Sequence, residues 1–274
     1  MKVLERTEVN CSFMNDRYKL NLLYKKGRNL ENYYHAQEIT EEVFKSDNLL
    51  ISILAMDLPS KSYKYRKELE TKWIDILPSL DKVTAISIRH RVTQQFFESV
   101  CKIKNLNQLH FWSSTAKDIS AISKLSKLKK LYLDSFSRLT DISPLENIQQ
   151  LEILSISNSF KIENYEVIGK LKRLIALGLH GDKTAPKNLR LKSLRPFNKL
   201  IHLRHLDLTS ASIIDNSYEI LIALKKLERF DSTANISKPI RDEIMKHPKL
   251  TAGFFMDWDW ENKKLHTGKD WSPQ

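Results

Sequence analysis

Residues 128–133 read Leu128-Lys-Lys-Leu-Tyr-Leu133, and this apolar-x-x-apolar-x-apolar pattern occurs seven more times along the chain. Each copy begins at one of positions 83, 106, 128, 151, 174, 203, 227 and 250, so neighbouring copies are 22 to 29 residues apart. Of the 24 pattern positions, 22 are apolar, whereas the 41% apolar content of the chain predicts about 10. Such a repeat predicts a solenoid of stacked units that share one continuous core.

A second signature lies between the leucine patterns. Asp118-Ile-Ser-Ala-Ile122 and Asp141-Ile-Ser-Pro-Leu145 stand at matching offsets. With the leucine spacing over residues 83–256, this signature resembles the short, 22-residue leucine-rich repeats of internalin-like bacterial proteins. The resemblance implies an α/β solenoid, a horseshoe whose concave face is a parallel β-sheet. The sequence departs from that class in one column, where Ser114 and Ser137 stand near the usual asparagine.

The two ends of the chain do not show the clear pattern. Residues 49–54 favour a buried strand, and residues 67–77 favour an amphipathic helix. We expect residues 1–82 to form an N-terminal cap or divergent repeats, with a separate small domain as the alternative. Residues 83–256 are then the repeats, and residues 257–274 are a C-terminal closure and tail.

The concave face is where a solenoid usually binds its partner. Residues between and beside the pattern positions should point to this face, because side chains alternate along a strand. The candidate partner-binding residues are His110, Trp112, Lys130, Tyr132, Asp134, His180, His205, Asp207, Arg229 and Asp231. Trp112 and Tyr132 are expected to be exposed anchors, since Trp, Tyr and Arg are enriched at binding hot spots. The alternative is an unused, merely solvated surface.

Positive charge forms a second candidate surface. The chain has 45 Lys and Arg against 33 Asp and Glu, a formal net charge of +12. Lys127, Lys172 and Lys226 each lie just before a predicted strand and should line one edge of the sheet, where nucleic acid or another acidic ligand could bind. Nucleic acid is the weaker expectation, because few aromatic residues interleave with these lysines. The longer interval near residues 182–192 is either a second contact loop or a tolerated insertion.

Catalytic and metal-binding motifs are absent from the sequence. It has no Walker loop, no G-x-S-x-G and no H-E-x-x-H. Cys11 and Cys101 have neither disulfide-framework nor zinc spacing, which favours two reduced thiols. Asp207 and Asp231 should be neighbours on adjacent strands, and two close carboxylates imply a raised pKa or a cationic partner. We therefore expect no enzyme activity, no cofactor and no metal.

These observations together predict a non-catalytic scaffold that binds another protein on its concave face. The chain has no run of 18 apolar residues and no signal-like N-terminus, so we expect a bacterial cytoplasmic protein without a membrane partner. A monomer is expected, with a stoichiometric inhibitor or immunity protein as its more specific form. The lysine-rich edge remains the alternative binding surface.

Overall fold

The computed structural model describes residues 22–23, 30, 32–182, 187–260 and 264–265. The strands in this part of the chain are β1 (Tyr34–Ala36), β2 (Asn48–Ile51), β3 (Ala85–Val92), β4 (Gln108–Ser114), β5 (Lys130–Asp134), β6 (Ile153–Ser157), β7 (Ala176–His180), β8 (Leu189–Leu191), β9 (His205–Leu208), β10 (Ala211–Ile213), β11 (Arg229–Ser232), β12 (Trp258–Asp259) and β13 (Lys264–Leu265). Apart from a helical pair at residues 22–23, the α-helices are α1 (Glu41–Lys45), α2 (Tyr63–Ile76), α3 (Gln94–Val100), α4 (Ile220–Ala223), α5 (Lys238–Met245) and α6 (Phe254–Asp257). The 3₁₀ helices are Leu77–Ser79, Ser120–Lys124, Ser143–Asn147, Tyr165–Lys170 and Arg195–Lys199.

Nine strands form one parallel sheet in the order β1-β2-β3-β4-β5-β6-β7-β9-β11. Neighbouring strands pair in register at the pattern positions, so that Leu131 lies opposite both Leu109 and Leu154. Parallel neighbours require a crossover connection, and each one here contains a short α-helix or a 3₁₀ helix. This topology confirms the predicted leucine-rich-repeat solenoid.

The core lies between the sheet and these returning segments. The pattern residues of β5, Leu131 and Leu133, are fully buried in it. Phe97, Phe111 and Phe136 pack beside them, with centroids 5.2 Å apart in the tilted Phe97–Phe111 pair and 6.0 Å apart in the T-shaped Phe111–Phe136 pair. A fully buried side chain of this size contributes about 1.5–3 kcal/mol to stability. The continuous core holds successive strands in register.

Polar side chains stabilise the turns at the two ends of each strand. Buried serines, rather than asparagines, lie after the strands; Ser159, for example, accepts a hydrogen bond from the backbone N–H of Phe136 at 3.0 Å. Asp141 accepts from the backbone N–H of Ser143 at 2.7 Å and opens a 3₁₀ helix. This hydrogen bond lowers the pKa of Asp141. The repeated Asp-Ile-Ser signature is therefore a turn motif.

The sheet begins upstream of the clear repeats. Strand β1 pairs with β2, and β2 pairs with β3, so residues 34–51 extend the solenoid by two strands. The predicted strand and helix near residues 49–54 and 67–77 are found as β2 and α2. Ser62 caps α2 by accepting from the backbone N–H of Tyr65 at 3.1 Å. The division of the chain into domains at residue 82 remains a prediction.

The last copy of the pattern does not form the strand that its spacing predicts. Ala252 makes one isolated bridge to Arg229, and α6 follows at once. Gly253 adopts a φ of 108°, a conformation that favours glycine, and a Cβ there would collide with the carbonyl oxygen of Phe230. The chain therefore turns into a helix at this end of the sheet.

The longer interval between repeats forms a small second sheet. Strand β8 within it pairs in parallel with β10 of the next repeat, Leu189 lying opposite Ala211. Residues 183–186 of this interval lie outside the described residues. The insertion thus extends one side of the solenoid with regular structure.

Candidate functional site

The concave face of the sheet carries the residues between the pattern positions. Strand register aligns one column of them across seven strands: Ser87, His110, Tyr132, Ser155, Gly178, Asp207 and Asp231. The pattern residues belong to the main core, whereas Tyr132, Ile153 and Ala176 belong to a separate apolar cluster. Side-chain alternation thus places the residues between the pattern positions on the face opposite the core.

A chain of hydrogen bonds crosses the first four repeat strands of this face, and we call it the Trp112 network. Trp112 Nε1 donates to Ser87 Oγ at 2.9 Å, and Ser87 Oγ lies 3.3 Å from His110 Nδ1. His110 Nε2 lies 2.9 Å from Asp134 Oδ2, and Ser157 Oγ donates to Asp134 Oδ1 at 2.6 Å. Because a carboxylate only accepts, we assign the proton to Nε2, which leaves Nδ1 to accept from Ser87.

Ring contacts hold the Trp112 indole in place. The His110 ring stacks on Trp112 with centroids 5.3 Å apart, and the Arg89 guanidinium lies 5.2 Å from the Trp112 ring. Tyr132 meets the other side of His110 in a T-shaped contact at 5.4 Å. Trp112 nevertheless remains 39% exposed. The indole is therefore fixed in orientation while one side stays open to a partner.

The order Ser87, His110, Asp134 has the composition of a catalytic triad but not its accessibility. Ser87 is fully buried, and its hydroxyl already accepts a hydrogen bond from Trp112. A nucleophile must reach the substrate carbonyl and have oxyanion donors beside it. Ser87 does not meet the first of these conditions. The geometry gives the network a structural role, and the absence of enzyme activity remains a prediction from the sequence.

A second network lies on β7, β9 and β11, and we call it the Asp231 network. Arg229 contacts both oxygens of Asp231, with Nε to Oδ2 at 2.6 Å and Nη2 to Oδ1 at 2.9 Å. His205 Nε2 lies 3.1 Å from Asp231 Oδ2. His180 Nδ1 lies 3.3 Å from Oδ1 of Asp207, the neighbouring carboxylate. Each of the two carboxylates is thus paired within the chain.

The pKa of Asp231 is lowered, not raised as the pair of carboxylates suggested. Burial favours the neutral acid, but the hydrogen bond from His205 and the charge of Arg229 outweigh burial and the nearby charge of Asp207. The cationic partner proposed as the alternative is therefore Arg229 itself.

Within the described residues, the nearest approach to a metal-ligand set belongs to this network. One ligand atom each from His205, Asp207 and Asp231 lies within 4.8 Å of the others. Asp231 also accepts from the backbone N–H of Phe254 at 2.8 Å, and the Arg229 guanidinium lies against it. A cation would have to displace that guanidinium. The donor set therefore fits a metal poorly, and the expectation of no metal site remains a prediction.

The middle of the concave face is covered by the chain itself. Leu22 and Leu23 pack on Tyr132, Ile153 and Ala176, and the Tyr132 hydroxyl donates to the Leu23 carbonyl at 3.4 Å. Tyr132 is fully buried beneath this pair. The expectation that Tyr132 is an exposed anchor is therefore wrong, because a segment distant in sequence shields it.

Burial divides the ten candidate residues. Trp112 is exposed, and Lys130, Asp134 and Asp207 are partly exposed. Those that are buried, and so do not offer the open surface expected of them, are His110, Tyr132, His180, His205, Arg229 and Asp231. The accessible band, as we define it, runs along the carboxyl ends of the strands and consists of Arg89, Trp112, Asp134, Ser157 and Thr209.

The sequence prediction missed four contributors to this face. Ser87 lies between two pattern positions, Ile86 and Ile88, but is not among the candidate residues, although it links Trp112 to His110. Leu22, Leu23 and Tyr33 lie in the region without repeats; Tyr33 accepts from Gln108 Nε2 at 2.7 Å, and burial raises its pKa to about 12. The only signal for the leucines is that they are an adjacent apolar pair in a largely polar segment.

The lysine-rich edge is present but partly neutralised. Lys129 pairs with Glu152 at 3.2 Å, and Lys127 Nζ donates to Asn105 Oδ1 at 2.6 Å. A groove of about 560 Å³ lies beside these two lysines and Lys82. The Lys129–Glu152 ion pair reduces the charge that this edge offers to an acidic ligand, whereas the neutral Asn105 leaves the charge of Lys127 in place.

The fold and the site together define the class of protein. The chain is a leucine-rich-repeat solenoid in which side chains of the concave face hydrogen-bond to one another and Leu22 and Leu23 cover part of that face. Among solved structures it is similar to internalin C2 of Listeria monocytogenes, with 18% identity, a TM-score of 0.48, and 65% of this chain and 73% of that chain covered. It is also similar to an internalin, InlF, of that organism (18% identity, TM-score 0.33, coverage 65% and 68%). A leucine-rich-repeat protein of Leptospira interrogans matches with 13% identity, a TM-score of 0.45, and coverage of 80% and 58%. No protein-family model and no curated protein sequence matches the chain.

Among the described residues, we find no helix with both the length and the apolar character that crossing a membrane requires.

Proposed function

We propose that the chain is a non-catalytic scaffold that binds another protein through the accessible band of its concave face. The observation that carries the proposal is Trp112, a large aromatic side chain that is exposed yet fixed by Ser87, His110 and Arg89. Aromatic anchors that are already ordered lose little entropy on binding, and Trp is the residue type most typical of hot spots.

Charge specificity would come from the partly exposed acids of the same face. Asp134 and Asp207 are each about 15% exposed and lie on either side of the covered centre. Asp134 accepts hydrogen bonds from His110 and Ser157, and Asp207 accepts one from Thr209 Oγ1 at 2.6 Å, so both carboxylates are held in position. A partner with an apolar socket for Trp112 and basic side chains beside it fits this arrangement.

The narrower form of the proposal is a monomeric stoichiometric inhibitor or immunity protein in a bacterial cytoplasm. Inhibition by occlusion requires a complementary surface but no catalytic group. The exposed Trp112 belongs to such a surface, and the buried Ser87 is not accessible as a nucleophile. This form predicts that a partner enzyme loses its activity at a one-to-one ratio.

The test is capture of a stoichiometric protein from nuclease-treated extract of the source cells, followed by affinity measurement with the purified partner. Trp112→Ala should weaken binding by about 2 kcal/mol or more, because hot-spot truncations cost that much. Phe44→Ala is the matched control, since Phe44 is 44% exposed but lies on α1, outside the sheet. Equal affinity of both variants and the wild type would refute the proposal.

The lysine-rich edge is the second candidate, favoured by the groove beside Lys82, Lys127 and Lys129. It predicts captured nucleic acid or an acidic ligand, with an affinity that falls steeply as salt rises. The affinity of a Trp112-dependent protein complex should instead fall less steeply with salt, because few charges take part in it. The salt dependence measured on the captured complex therefore distinguishes the two surfaces.

A further inference from the structure

A small cleft lies away from the concave face, between helix α2 and the end of strand β3. Its volume is about 160 Å³, far below the roughly 300–1,000 Å³ of pockets for drug-sized ligands. Arg66 and Lys67 of α2 line one side, and His90 and Arg91 of β3 line the other. Its size suits a group of only a few atoms.

A bulge in β3 brings two consecutive side chains to this cleft. Ile88 pairs with Phe111 and Arg91 pairs with Ser113, so β3 has one more residue than β4 over this interval. Consecutive strand residues normally point to opposite faces, and a bulge changes that direction. Arg89 consequently contacts Trp112 on the concave face, while His90 and Arg91 line the cleft.

Polar atoms in the walls of the cleft lack the partners that burial demands. Both ring nitrogens of His90 and the Nε of Arg66 are buried without a hydrogen-bond partner in the described part of the chain. Burial and the charge of Lys67 lower the pKa of His90 to about 3, so this imidazole is neutral and carries one unbonded N–H. Orphaned buried donors are rare in native proteins and call for an explanation, such as an ion.

The charge of the cleft is positive and unbalanced. Its lining has three cations, Arg66, Lys67 and Arg91, against one acid, the buried Glu70. Glu70 is already paired with Lys67, whose Nζ lies 2.7 Å from Oε2. Neither Arg66 nor Arg91 forms an ion pair with any described residue. The excess of two positive charges complements a phosphate group, which carries about −1.5 to −2 at pH 7.

We propose that this cleft binds a phosphate group. Arg66 presents a planar fork of N–H donors, the geometry that matches phosphate oxygens in a bidentate contact. Arg91 lines the opposite side, and the neutral His90, whose ring nitrogens have almost no accessible surface, donates after its ring rotates toward the anion. The phosphate comes either from inorganic phosphate or from a phosphoryl group on a small molecule.

The test is titration of the full chain with inorganic phosphate and, separately, with phosphoserine, by calorimetry and thermal unfolding at constant ionic strength. One site is expected, and binding should raise the melting temperature, because a ligand that binds only the folded state stabilises it. A preference for phosphoserine identifies the attached phosphoryl group as the source, and a preference for inorganic phosphate identifies the free ion. Binding of neither would overturn the proposal.

Variants distinguish a built site from general attraction to a basic protein. Arg66→Gln and Arg91→Gln should each weaken binding, Arg66→Gln by about tenfold or more, as expected for loss of a charged bidentate contact. Arg173→Gln is the matched control, since it removes the same charge from an exposed position outside the cleft. An equal effect of all three variants would indicate non-specific electrostatics and overturn the proposal.

The orphaned imidazole supplies a readout that remains if Arg66→Gln fails to fold. His90→Leu removes both unbonded nitrogens, so it should melt at a higher temperature than the wild type without phosphate. In phosphate its gain in melting temperature should be smaller than that of the wild type. An unchanged gain would show that His90 does not contact the anion and would remove it from the site.

Discussion

Coverage of the concave face by Leu22 and Leu23 has an energetic consequence that can be measured. Leu23 is 5% exposed and packs in one cluster with Tyr132. Burying a leucine contributes about 1.5–3 kcal/mol, and leucine-to-alanine changes in cores cost about 2–5 kcal/mol. Because this pair packs on a sheet surface rather than within the main core, we expect Leu23→Ala to cost about 2 kcal/mol.

The contact between Leu23 and Tyr132 should appear as a coupling energy between substitutions at these two residues. Tyr132→Ala alone should cost about 3–5 kcal/mol, as other large aromatic truncations do. In the double variant the loss should be smaller than the sum by about 1 kcal/mol, because Leu23 has already lost its main contact. Urea unfolding, followed by circular dichroism, gives the four free energies of unfolding that this cycle requires.

The control for this cycle is Ile201→Ala, because Ile201 is a largely exposed aliphatic residue. It should change the free energy of unfolding by less than about 0.5 kcal/mol and show no coupling to Tyr132. The interpretation would be refuted if Leu23→Ala behaved like Ile201→Ala. Tyr132 would then be an open side chain, as the sequence alone had suggested.

Two further predictions concern buried polar groups. Asp231→Asn should cost about 3–5 kcal/mol at neutral pH, because it removes the carboxylate charge that the buried guanidinium of Arg229 contacts through two nitrogens. Since the folded state lowers the pKa of Asp231, this stability is present above the unfolded value of about 3.9 and is lost as the pH falls below it. The gap between wild type and variant in urea unfolding should therefore shrink below about pH 4, and a gap that does not vary with pH would contradict this account. Burial raises the pKa of the Cys101 thiol. In a Cys11→Ser variant a thiol reagent should therefore react with Cys101 only as fast as the protein unfolds. Rapid labelling of the native protein would show that Cys101 is accessible.

The sheet could be predicted from the sequence because its information is local and repeated. Each repeat carries its own apolar triplet, and stacking equal turns fixes the register, as in the alignment of Leu109, Leu131 and Leu154. The same periodicity correctly assigned the column from Ser87 to Asp231. It failed at Gly253, where a positive φ and a close approach to Phe230 outweigh the strand pattern.

Exposure on the concave face could not be predicted, because it depends on contacts between residues far apart in sequence. Tyr132 and Leu23 are 109 residues apart, and nothing in the repeat specifies what packs on top of the sheet. The cleft beside His90 depends on a one-residue bulge, which periodicity averages out. Both cases require the relative placement of elements that have no repeat between them.

The packing of Leu22 and Leu23 on the sheet restricts where a partner can bind on the concave face. Tyr132, Ile153 and Ala176 form the apolar centre of the face, and in the free chain Leu22 and Leu23 already occupy it. A partner that bound at this centre would have to displace Leu22 and Leu23. The free energy with which the two leucines pack on the sheet would then be subtracted from the free energy of binding. A partner that contacts Trp112 and Asp134 bears no such cost, because both side chains are already ordered and accessible. The accessible band is therefore the part of this face that a partner can bind without displacing Leu22 and Leu23.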